Sequence, residues 1–148
     1  MLHKASIAGM TMDPASNNPI VILKTDDDER VIPIWIGLLE ATSIASVLQD
    51  VQFERPMTHD LLGIVIREMG GEVESVVVSA LEEGVFHATL HIAMGEKKIE
   101  IDCRPSDGIA LAARSSSPLH LDESVLDAAG MTDLSKHSPL SVLWPVVD

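Results

Sequence analysis

Tyrosine is absent from this 148-residue chain, and its aromatic residues are Trp35, Phe53, Phe86 and Trp144. Single-strand binders stack bases on aromatic rings beside cations, so that class has no platform here. Cations are scarce as well: 10 Lys plus Arg stand against 23 Asp plus Glu, a formal net charge of −13. Such a surface repels a phosphate backbone, and nonspecific affinity for nucleic acid is expected to be poor. The single Cys103 excludes an internal disulfide and a zinc cluster and agrees with a reducing, cytoplasmic compartment. No run approaches the roughly eighteen apolar residues of a membrane span. The start, Met1-Leu2-His3-Lys4, leads into a polar-interrupted strand rather than a signal-peptide core. Gly-x-Ser-x-Gly is missing, no Gly-rich loop resembles a phosphate cradle, and Cys103 has no partnered His in its sequence context. Nucleophilic and nucleotide-binding enzymes are therefore disfavoured.

What is present suits one globular domain, with apolar residues at 46%. Acidity permits divalent-cation binding, in which carboxylates hold the ion and the ion meets a phosphate. The densest acidic run, Asp26-Asp27-Asp28-Glu29, lies between two strand-like segments and lacks the Gly and spaced ligands of an EF-hand. It reads as a solvated hairpin tip.

One phrase occurs twice: Arg55-Pro56-Met57-Thr58-His59-Asp60 and Arg104-Pro105-Ser106-Asp107, each followed by an apolar helical run. Thr58 and Ser106 are expected as N-caps, with the following Asp facing the positive end of the helix dipole. Pro biases Arg55 and Arg104 towards extended backbone aimed near the helix starts. A purely structural account, two capped helices whose Arg and Asp pair, is as complete as a chemical one.

The periodicity predicts strands over residues 2–12, 20–25 and 30–36 and a helix over 38–51, then strands over 73–81, 85–94 and 97–103 and a helix over 107–115. Setting Ile34-Trp35-Ile36-Gly37-Leu38-Leu39-Glu40-Ala41 beside Ile101-Asp102-Cys103-Arg104-Pro105-Ser106-Asp107-Gly108 aligns two β-β-β-α units, 2–51 and 73–115, without a gap. That register pairs Glu40 with Asp107. The expected class is α+β: duplicated units forming mainly antiparallel sheet with packed helices, the two apolar sheet faces packing on each other. In the last strand Ile99, Ile101 and Cys103 share one face, and Lys98, Glu100 and Asp102 the other. A helix over 59–69 links the units, with Leu61, Leu62, Val65 and Met69 on one face and a Gly70-Gly71 stop. A short strand over 118–122 and a short helix over 122–129 end a domain of residues 1–130. The tail, 131–148, is polar to Pro139, and its apolar end, 140–147, is expected to dock on the fold or on a second subunit.

His59, in the first turn of its helix, is the best-placed histidine for a general base or metal ligand. His87 and His91 share a strand face, but without a third ligand at a diagnostic spacing they read as polar filler. His3, His120 and His137 carry no motif. If the two units are related by a pseudo-twofold, Glu40, Asp102, Arg104 and Asp107 converge across the axis.

Val31-Ile32-Pro33-Ile34-Trp35-Ile36-Gly37 with Glu40-Ala41, then Arg55-Pro56-x-Thr58-His59-Asp60-Leu61, then Ile101-Asp102-x-Arg104-Pro105-Ser106-Asp107-x-Ile109-Ala110-Leu111-Ala112 closely resemble the bifunctional nuclease family, also called domain of unknown function 151. The resemblance runs over about residues 2–130. It implies an α+β domain, a homo-oligomer and hydrolysis of both DNA and RNA; the apolar end at 140–147 and the exposed sheet faces of so small a domain make a twofold dimer the simplest expectation. Cys103, where members often carry Ala, and Gly108 depart from the pattern without removing a charged motif residue. The expected reading is a nuclease, a phosphodiesterase dependent on Mg2+ or Mn2+. The catalytic candidates are His59, Asp60 and Asp107, with His59 as base; Arg55 and Arg104 bind substrate, and Glu40, Asp60, Asp102 and Asp107 are the metal ligands. Few other cations, Arg67 and Arg114, are available near the motifs. The alternative is a non-catalytic structural or regulatory oligomeric module using the same residues as caps and salt bridges. An open acidic pocket marks the enzyme, and closed Arg–Asp pairs mark the module.

Overall fold

The computed structural model describes residues 1–130 and 141–142. Three strands, β1 (Leu2–Asp13), β2 (Asn18–Thr25) and β3 (Val31–Trp35), are followed by α1 (Leu38–Leu48). After α2 (Thr58–Glu68) the same order returns as β4 (Glu72–Glu82), β5 (Val85–Met94), β6 (Lys97–Cys103) and α3 (Pro105–Ser115). Then come β7 (Leu119–Asp122), α4 (Glu123–Ala129) and β8 (Ser141–Val142). The expected tail segments, 131–140 and 143–148, lie outside the described residues, and with them most of the apolar end thought to dock.

Each group of three strands is an antiparallel meander, as the short acidic and Gly-containing turns dictate. Glu83 and Gly84, both at positive φ (51° and 79°), form the two-residue connection between β4 and β5, which suits the twist of a hairpin. The meanders do not pack face to face as the sequence suggested. They join edge to edge in one mostly antiparallel sheet, ordered β3-β2-β1-β7-β4-β5-β6, with β8 on β1. The joint is β7, antiparallel to β1 (Leu2 opposite Asp122) and parallel to β4 (Val77 beside His120). This α+β layer needs no second sheet, because α1, α3 and α4 cover its apolar face.

The core lies under that helix layer: Val76, Val78, Leu90, Ile92 and Leu121 of the sheet meet Ile44 of α1, Ile109 and Leu111 of α3 and Leu126 of α4. Contact at α3 is close enough that a Cβ on Gly108 would lie 2.6 Å from Val76 Cγ1, which explains Gly where the helix starts. Helix α2 contributes no buried residue. Ile66 touches the core, but the stripe expected as its packing face is exposed, with Leu61 at 53% and Met69 at 70%. In edge strand β6 the alternation partly holds. Ile99 and Cys103 pack on the core, while Ile101 is 44% exposed because no outer strand covers it.

Candidate active site

Helices α1, α2 and α3 each carry an acid as their third residue: Glu40, Asp60 and Asp107. That position faces the unpaired N–H groups of the first turn and the positive end of the dipole. Asp60 uses it directly, its carboxylate accepting the Met57 N–H at 3.0 Å. The expected hydroxyl caps are not made. Thr58 is the first residue of α2, behind Met57, and Ser106 is the second of α3, behind Arg104 and Pro105. The X-Pro step and the acid two or three residues on already define these helix starts, leaving the hydroxyls inside the first turn.

Glu40 and Asp107, paired by the sequence alignment, are brought together through Arg104. Its Nε and Nη2 donate to the two Asp107 oxygens at 2.9 and 3.2 Å, and its Nη1 donates to Glu40 Oε1 at 3.0 Å. Arg114, two turns after Asp107 on α3, donates from Nε to Asp60 Oδ1 at 2.7 Å and from Nη2 to the Ser43 carbonyl at 3.2 Å. It thereby ties α3 to α2 and α1. Arg55 stands apart: it is exposed, has no hydrogen bond or ion pair among the described residues, and does not line the pocket below. Arg114 holds the partner expected for it.

Between the cations lies a hydrogen-bonded relay. His59 Nε2 is 2.8 Å from Asp107 Oδ1, and its Nδ1 is 2.6 Å from the Ser43 hydroxyl. Burial opposes ionisation of Asp107, but the hydrogen bonds from Arg104 and His59 outweigh it and hold the carboxyl below its usual range. Asp60 shows the same balance, with burial offset by Arg114 and by the Met57 N–H. An ionised Asp107 only accepts, so Nε2 carries a hydrogen, and in the neutral imidazole Nδ1 then offers its lone pair to the Ser43 O–H. The His59 side chain is 11% exposed. The relay opens into a pocket of about 340 Å3 with Leu39, Phe53 and Met57 on its apolar wall. Glu40, Ser43, His59, Arg104, Asp107 and Arg114 form the polar wall.

The four acids expected as metal ligands are not gathered. Asp102 opposes Thr89 on β5, while its neighbour Cys103 packs on the core, so Asp102 lies on the sheet face away from the helices. Glu40, Asp60 and Asp107 are each held by a guanidinium. Among the described residues, ligand atoms of three such groups come within 4.8 Å of one another only at His3, Asp27 and Asp28. There both imidazole nitrogens already face carboxylates, Asp27 at Nδ1 and Glu123 at Nε2. His87 and His91 each lie 3.7 Å from a glutamate, Glu82 and Glu100, as surface filler would. The Cys103 thiol is pushed up to about 11 by burial and then by the charges of Asp107 and Asp102, which leaves it unreactive.

Ser43 was not singled out from sequence, because a serine in the middle of a helix carries no signature. Its spacing did hold a signal: three residues after Glu40, it shares that helix face.

A sequence model of the bifunctional nuclease domain matches residues 21–133. An uncharacterized protein of Mycobacterium tuberculosis is 36% identical over 130 residues, which cover 88% of this chain and 77% of that protein. Bifunctional nuclease 2 of Arabidopsis thaliana is 26% identical over 148 residues, covering 95% of this chain and 45% of the relative. Bifunctional nuclease 1 of the same plant is 24% identical over 133 residues, covering 88% and 41%. The chain thus spans less than half the length of these plant relatives.

Proposed function

The chain belongs to the bifunctional nuclease domain family, and from that premise we propose that it hydrolyses phosphodiester bonds of DNA and RNA in the pocket at the three helix starts. The observation that carries the reading is the relay: an imidazole whose Nε2–H is fixed by Asp107 at 2.8 Å turns its Nδ1 lone pair to the pocket side, against the Ser43 hydroxyl at 2.6 Å, where it can act as a base. Arg104, 64% exposed although bonded to two carboxylates, is the cation able to turn towards a phosphate. Arg114 supports the wall, Asp60 fixes Arg114, and Arg55 lies on the exposed approach to α2.

A divalent ion, Mg2+ or Mn2+, would have to displace Arg104 to reach Glu40 and Asp107 together, and Asp102 is on the far sheet face. The residues present do not fit a ready-made ion site. The closed Arg–carboxylate pairs favour a second reading, the non-catalytic interaction module, in which the same contacts only hold three helices together.

Labelled single-stranded DNA and RNA, incubated with highly purified protein in Mg2+, Mn2+ or chelator, separate the two. Loss of a general base typically costs about 10²- to 10⁴-fold, so His59→Gln is expected to lose at least about a hundredfold. Arg104→Met removes a charged contact of about 1.5–3 kcal/mol, roughly ten- to a hundredfold in rate. Cleavage that His59→Gln leaves intact belongs to a contaminant and gives the site to the interaction module. Activity in chelator excludes a need for the ion, and its loss there restores one.

A further inference from the structure

Resting on that reading, we propose that Ser43 is the nucleophile of the site and carries a phosphoseryl ester between two half-reactions. Three hydroxyls of the pocket sit on α1, and their partners differ. Thr42 donates to the Leu38 carbonyl at 2.8 Å and Ser46 to the Ser43 carbonyl at 2.7 Å, both spent on the helix itself. Ser43 Oγ alone is aimed at the imidazole, 2.6 Å from Nδ1. With Nε2–H held by Asp107, that contact leaves Nδ1 no lone pair for a water, and the proton within its reach is the serine's. The backbone of Ser43 is anchored as well, its carbonyl accepting from Arg114 at 3.2 Å. Nucleophile, base and orienting acid thus come from three different helices, locked by Arg104 and Arg114, and the nucleophile opens on the same pocket as the exposed guanidinium. The order of the residues and the use of Nδ1 for the serine have no sequence signature, so the absence of Gly-x-Ser-x-Gly does not bear on them.

The chemistry balances without a co-reactant. Ser43 Oγ forms a bond to phosphorus as its proton passes to His59 Nδ1. The bond from phosphorus to the leaving nucleoside oxygen breaks, and that oxygen takes the proton from Nδ1. A water then attacks phosphorus and gives its proton to Nδ1, and the phosphorus–Oγ bond breaks as Oγ takes that proton back. The sum is hydrolysis of one phosphodiester.

The test uses diisopropyl fluorophosphate on the full chain, with the adduct found by intact mass and placed by peptide mapping. The expected result is one adduct per chain on Ser43, with fluoride released. It should be absent in Ser43→Ala, slowed at least a hundredfold in His59→Gln and unchanged in Ser16→Ala, an exposed serine of the β1–β2 turn. Labelling of the unmodified protein is direct, so the assignment does not depend on a variant folding. No adduct on Ser43, or a rate indifferent to His59, overturns the proposal. Ser43→Ala that cleaves nucleic acid as well as the unmodified protein, while His59→Gln does not, also overturns it and leaves the nuclease reading standing with water as nucleophile. Labelling of Ser43 without nucleic-acid cleavage does the reverse: the nucleophile stands and the nuclease reading falls.

Discussion

Replacing Arg114 by Met keeps most of the side chain's volume and removes a group that ties α3 directly to both α1 and α2. The guanidinium is 12% exposed and donates to Asp60, to the Ala110 and Ser43 carbonyls and, at 3.4 Å, to the Ser46 hydroxyl. A hydrogen bond to a charged group contributes about 1.5–3 kcal/mol and a neutral one about 1 kcal/mol. Asp60 is 33% exposed and keeps the Met57 N–H, so water and that donor offset part of its loss. The expected cost is about 2–4 kcal/mol, weighted to the charged pair because α2 has no buried residue of its own to hold it. For a chain of this size that is a fall in melting midpoint of about 5–15 °C. Urea denaturation of the unmodified protein, Arg114→Met, Asp60→Asn and the double variant gives the coupling energy, expected at about 1–3 kcal/mol. The sign with pH is fixed too. Asp60 is held below its ordinary 3.8, so the pair's contribution is present above that pH and is lost as pH falls through the lowered value. A double-mutant coupling near zero, or a variant within about 0.5 kcal/mol of the unmodified protein, would refute the strut.

His3 is buried with carboxylates at both ring nitrogens, which the doubly protonated imidazolium satisfies best; hydrogen bonding to Asp27 leads over burial in raising it above 6.5. Its stabilisation is then full below that pH and lost as pH rises through the raised folded value, so calorimetry should show His3→Gln most destabilised below pH 6.5 and the gap narrowing as pH is raised above it. A gap independent of pH would dismiss the clamp. We propose that the chain forms a homodimer through the exposed stripe of α2, and light scattering should return twice the 15.9 kDa chain mass, reverting to a monomer in the Leu61→Glu, Val65→Glu variant. A monomer at high concentration in the unmodified protein rejects that interface.

Much of the frame was written locally. Period-two alternation and two-residue turns placed β5 (Val85–Met94) and β6 (Lys97–Cys103) to the residue. What local pattern could not give was the strand that joins the halves. β7 is four residues long and pairs with β1 and β4, more than forty residues away from the latter, so no nearby signal marks it as the centre of the sheet. The site shows the same division. His59, Asp107 and Arg104 were legible because they stand at helix starts with Pro beside them. Asp102 was assigned to the metal set although its own alternation with Cys103 already put it on the other sheet face. Arg114 and Ser43 were legible only as spacings, seven residues from Asp107 and three from Glu40, which acquire meaning once three helix starts meet.

The charge of the chain explains why two arginines have different duties. Arg104, Arg114, Glu40, Asp60 and Asp107 sum to −1 with a neutral imidazole, two cations against three anions. The pocket therefore does not draw a phosphate in by its field, in keeping with a whole chain at −13. Binding a phosphate has to be an exchange, in which an arginine gives up a carboxylate and takes the substrate oxygen. Arg114 is unsuited to that, because its side chain is 12% exposed and also donates to two backbone carbonyls, and releasing it would take the guanidinium from Asp60 and undo the tie between α3 and the other two helices. Arg104 is 64% exposed, and a turn of the Glu40 carboxylate away from it would free Nη1 for a phosphate while the two-point bond of Nε and Nη2 to Asp107 stays intact. Asp107 thus holds the imidazole by one oxygen while both its oxygens hold Arg104, so base and phosphate-facing cation are positioned by one carboxylate. An acidic protein can in this way place a single positive group where charge develops on a transferring phosphoryl group without a basic surface to collect the substrate.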